Sequence, residues 1–92
     1  MRELKREKVG VRGKEIELVT VDLEHPELPV LRVTGEFAGY SLSHTITIGP
    51  ADRAPVNLTS EKLQEQVNAV RQQVAEALAA RAEAREMMAR LL

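Results

Sequence analysis

Apolar and polar side chains alternate almost without a break from position 40 to position 48. Tyr40, Leu42, His44, Ile46 and Ile48 fall on one side, and Ser41, Ser43, Thr45 and Thr47 on the other. A period of two sends successive side chains to opposite faces, so the stretch predicts a half-buried antiparallel strand. Gly49 and Pro50 end it. A second strand is predicted over residues 14–23. Ile16 and Leu18 share one of its faces, while Val19, Val21 and Leu23 share the other. The phase therefore slips in mid-strand, which a bulge or cover on both faces would explain. Val9 and Val11 predict a short edge strand ahead of it. Arg12 and Gly13 suit a two-residue hairpin turn, with glycine supplying positive φ. Pro26 falls in a loop over residues 24–27, and Pro29 opens a strand over 30–34, where a missing donor is tolerated. Gly35 and Gly39 bracket a turn region over 35–39.

After a loop with two prolines over residues 49–57, the period changes. Leu63, Val67, Val70, Val74 and Ala77 recur at spacings of 4, 3, 4 and 3, a helical stripe. Thr59 suits the N-cap, Leu58 and Leu63 stand at the spacing of a hydrophobic staple, and Glu61 lies in the first turn, where the helix dipole favours a carboxylate. No Gly or Pro follows, so the helix is expected to run over residues 59–92. It would span roughly 50 Å, against roughly 30 Å for a nine-residue strand. Half of it would thus have no sheet beneath it. The expected fold is α+β: one domain over residues 1–92, with a basic arm over 1–7, an antiparallel sheet of three to four strands over 8–48, and one long C-terminal helix.

The uncovered part of that helix ends in apolar side chains, which water does not favour leaving bare. The expected self-association surface is Val67, Val70, Val74, Ala77, Leu78, Ala84, Met87, Met88, Leu91 and Leu92, with a homodimer as the simplest partner arrangement. Size agrees. A chain of 92 residues buries a modest share of its surface and gains most from a disulfide, a metal or a second chain. It has no cysteine, which leaves self-association.

Charge changes the picture only locally. The formal net charge is −1, yet the first 15 residues hold six basic side chains against three acidic ones. Arg2, Lys5, Arg6 and Lys8, together with Arg81 and Arg85 one helical turn apart, are the candidate contacts to a nucleic-acid backbone. Against them stand a pI near 6.1 and an aromatic content of 2%, since such proteins usually show a basic face and often stack bases on aromatic rings.

Catalytic chemistry finds little to build on. His25 and His44 are the only imidazoles, and without thiolates no metal site and no cofactor are expected. His44 lies between Leu42 and Ile46, with no carboxylate at a fixed spacing. It reads as a core or interface histidine, and its protonation would loosen any interface it packed in. The stripe Ser41, Ser43, Thr45 and Thr47 reads as the solvent face of the sheet, and no histidine–acid pair accompanies it. The glycines form no phosphate loop, and Arg53 could at most help a small anion site in its loop. The charged N-terminus lacks a signal-peptide core, and no apolar run is long enough to span a bilayer. No membrane partner is expected, and a cytoplasmic location is.

The order Val33, Thr34, Gly35, Glu36, a hairpin, and then a long charged helix resembles the YbaB family of nucleoid-associated dimers. That family's N-terminal helix is replaced here by strands, so no site residue is carried over. The sequence is read as a non-enzymatic oligomerising or assembly module that could also present a surface to another protein, of the kind found among accessory structural proteins of bacteria and phages. A small dimeric nucleic-acid binder is the second reading.

Overall fold

The computed structural model describes residues 1–26, 30–47 and 61–91. The expectations placed on Glu27, Pro29, Ile48, Gly49, Pro50, Arg53, Leu58, Thr59, Leu92 and the loop over 49–57 lie outside the described residues.

Four strands form one antiparallel meander, β1 Arg2–Val11, β2 Lys14–Asp22, β3 Val30–Phe37 and β4 Tyr40–Thr47, in the order β1-β2-β3-β4. One helix follows, α1 Glu61–Leu91. Arg12 with Gly13 closes the first hairpin and Ala38 with Gly39 the last; both pairs have positive φ at each central residue. Positive φ at both positions marks the type I′ turn, whose twist matches that of the strands it joins. At the other end of the sheet, the Leu23 amide donates to the Val30 carbonyl at 3.0 Å. Asp22 accepts from the Glu24 amide at 2.8 Å, which holds Glu24 in a left-handed conformation.

Ile16, Leu18, Leu31, Val33 and Ile46 are buried on one face of the sheet, under Leu63, Val67, Val74, Ala75, Leu78, Ala79 and Ala82 of the helix. With buried Arg71 included, Leu63, Val67, Arg71, Ala75, Leu78 and Ala82 advance by threes and fours, as one side of a 3.6-residue period must.

Three details refine or correct the sequence reading, each for a physical reason. Residues 2–7 are not an arm outside the sheet. They form the first half of β1, where Arg6 pairs with Glu3 and Glu17. The phase slip in β2 is not a bulge but cover on both faces, the second of the two alternatives. Thr20 and Asp22 continue the helix-facing row as buried polar residues, while Val19 and buried Val21 turn to the other face; among the described residues the register shift lies in β1, between Glu3 and Lys5. Gly35, Glu36 and Phe37 belong to β3 rather than to a turn. A Cβ on Gly35 would stand 2.8 Å from Val74 Cγ1 and 3.3 Å from Leu18 Cδ2. Glycine is there because the helix comes down onto the backbone at that point.

Candidate interaction surfaces

The helix starts beside Lys5 and Thr20 and runs toward the two hairpin turns. It is anchored further along than strand length alone suggests. Arg12 pairs with Glu83 at 3.0 Å and Lys14 with Glu86 at 3.3 Å. The Arg85 guanidinium lies 3.4 Å from the centre of the Tyr40 ring. Both turns thus grip the helix up to Glu86, and the part without a sheet beneath it is shorter than half.

The ten residues expected at an oligomer surface separate into groups. Val67, Val74 and Leu78 are buried against the chain's own sheet, and Val70 is half-buried. Ala77, Ala84, Met87, Met88 and Leu91 are exposed, the last three at 61%, 63% and 85%. Leu92 lies outside the described residues. Ala80, missed in the sequence reading, is exposed as well. Ala77, Ala80, Ala84, Met87 and Leu91 recur at spacings of 3, 4, 3 and 4 on the side of the helix away from the sheet. The helix therefore has two apolar stripes. One is used by its own sheet; the other faces outward.

Arg71 interrupts the inner stripe one turn after Val67. It is buried, pairs with Glu7 of β1, and donates to Asn68 Oδ1 at 3.0 Å. Its Nε has no hydrogen-bond partner. Burial pushes the guanidinium below its ordinary pKa. Spacing could have placed this residue on the sheet-facing side of the helix, but nothing in the pattern named Glu7 as its counter-ion. Beside the pair, a groove of about 570 Å³ runs between β1 and the helix, lined in part by Val9, Val11, Gln72 and Glu76.

The face opposite the helix is polar toward its β4 side. Ser41, Ser43, Thr45 and Thr47 are all exposed, and the Thr34 and Ser43 hydroxyls lie 2.9 Å apart across β3 and β4. Near the turns this face turns acidic, with Glu17 directly opposite Glu36 and Glu15 close by, offset by Lys8.

The candidate phosphate contacts do not form a free basic face. Arg2 pairs with Asp22, Lys5 with Glu7, Arg6 with Glu3 and Glu17, and Lys8 with Glu15. Arg85 covers Tyr40, and Arg81 is exposed. His44 corrects the sequence reading in part. It stands opposite buried Val33 on the helix side of β4, yet it is exposed, on a strand at the edge of the sheet.

Among the described residues no group of three or more histidines or carboxylates gathers to hold a metal ion, and no helix is long and apolar enough to cross a membrane. The chain matches no family model, that of the nucleoid-associated dimers included, and no curated protein or solved structure.

Proposed function

We propose that this protein is a non-enzymatic homo-oligomerising module whose helix offers its outward stripe to a second copy of the chain. One observation carries the reading: Ala77, Ala80, Ala84, Met87 and Leu91 form a heptad-spaced seam on the solvent side, ending in side chains that are mostly bare. Burying a large apolar side chain fully is worth about 1.5–3 kcal/mol. Met87 and Leu91 from two copies would thus contribute several side chains' worth of burial against the cost of association. Alanine at three successive seam positions lets two helices approach closely.

Light scattering on a sizing column tests this. The full chain is expected at the mass of a dimer or larger. Met87→Glu and Ala84→Glu, neither of which touches the sheet-facing stripe, are expected to lose the seam contact and run at a lower mass than the full chain, with helix content unchanged. A full chain that is monomeric at the highest concentration reached would overturn the reading.

The nucleic-acid reading is the weaker one, since most of its basic residues are already engaged by acidic or aromatic neighbours. Retention on duplex DNA that falls steeply with added salt would revive it.

A further inference from the structure

We infer that β4 is a docking strand for β4 of a second copy, so that two sheets join edge to edge in one continuous antiparallel sheet. The partner is the one assumed above, but the surface is different and does not use the helix seam.

The two edges of the sheet are not alike. β1 has Arg2, Glu3, Lys5, Arg6, Glu7 and Lys8 among its ten residues and a register shift near its start. Charges and bulges are the devices by which edge strands avoid pairing with other chains. β4 reads Tyr40, Ser41, Leu42, Ser43, His44, Thr45, Ile46, Thr47, without a fixed charge, a proline or a register shift. It is rich in residues that favour strands. Among the described residues no strand lies beyond it.

Backbone phase sets the geometry. A two-residue turn is closed by a pair that exchanges both backbone hydrogen bonds, here Phe37 and Tyr40. The alternation then makes Leu42, His44 and Ile46 the residues bonded to β3. The amides and carbonyls of Ser41, Ser43, Thr45 and Thr47 point outward. An antiparallel two-fold centred on His44 satisfies all four. Ser43 meets Thr45 of the second copy, and Ser41 meets Thr47. On the helix side, half-buried Leu42 meets Ile46 of the second copy. On the other side, hydroxyl meets hydroxyl, as Thr34 and Ser43 already do within the chain. Centring on Ser43 would set Leu42 against His44 instead, and centring on Thr45 would set His44 against Ile46. The strand is self-complementary about His44 alone.

The absence of cysteine makes the register readable by single-cysteine cross-linking. His44→Cys would face its own copy in a non-hydrogen-bonded pair, at a Cα separation of about 4.5 Å, within disulfide reach. Ser43→Cys would stand about 8 Å or more from its copy, beyond that reach. With a mild oxidant at about 10 micromolar protein, His44→Cys is expected to form dimer roughly a hundredfold faster than Ser43→Cys, the ratio of a millimolar effective concentration to the free one. The advantage should persist in the Met87→Glu background, which separates this contact from the helix seam. Equal rates for the two variants overturn the inference, even if the helix seam is found to dimerise. So does an advantage that vanishes with Met87→Glu.

Discussion

At Gly35 the absence of one carbon atom sets how closely the helix can lie on the sheet. Gly35→Ala would drive a Cβ to 2.8 Å from Val74 Cγ1, a β-branched side chain with little rotamer freedom. The expected cost is about 1–3 kcal/mol in urea unfolding. Val74→Ala should cost less in the Gly35→Ala background than in the native chain, because it clears the space the new methyl needs. Arg71 and Glu7 make a second residue-scale case. Removing the carboxylate by Glu7→Ala strands a buried guanidinium, and the loss should be about 2–3 kcal/mol, below the figure for a fully buried pair because Glu7 is partly exposed. Arg71→Met removes charge and desolvation together. Combined with Glu7→Leu, so that both charges go, it should be neutral or mildly stabilising by the same measurement. At the second turn, Ala38 holds a positive φ of 49°, which a Cβ disfavours unless the residue is Asn or Asp. Ala38→Asn should raise stability by about 0.5–1 kcal/mol.

Among the elements, β4 and the helix were the most legible. Their periods of 2 and 3.6 stand out because each has one face on the core. β3 was half-read. Gly35 looked like the start of a turn, whereas it is the gap left for a helix more than thirty residues further along the chain. No local pattern holds that information. β1 was under-read for a related reason. Its residues 2–7 are mostly charged, so their strand state depends on the partners that β2 supplies, not on apolar alternation. The helix hid its second stripe because alanine serves equally as helix former, inner packing and outer seam. Ala77, Ala80 and Ala84 could be told from Ala75, Ala79 and Ala82 only once the sheet had fixed which side was inside. The grip of the turns on the helix leads to a prediction at this scale. Tyr40→Ala with Lys14→Ala should loosen the last three helical turns, seen as faster amide exchange from Glu83 onward, while exchange near Val74 stays slow.

For the whole molecule, the order β1-β2-β3-β4 means that each strand pairs with the one made just before it. The sheet can form from two local hairpins and their junction, without closing a long loop. Local strand pairing predicts a sheet that forms first and a helix that seats on it afterwards. That arrangement divides kinetics by region. Gly39→Ala, which strains a turn, should slow refolding, whereas Val74→Ala should mainly speed unfolding, a contrast that stopped-flow chevrons would read. It also sets an order of risk. Until the helix arrives, Leu31 and Val33 lie open beside the uncharged strand β4. During that interval a crowded chain is most exposed to pairing with the wrong neighbour, so a variant whose helix seats more slowly should give less soluble protein on refolding at high concentration.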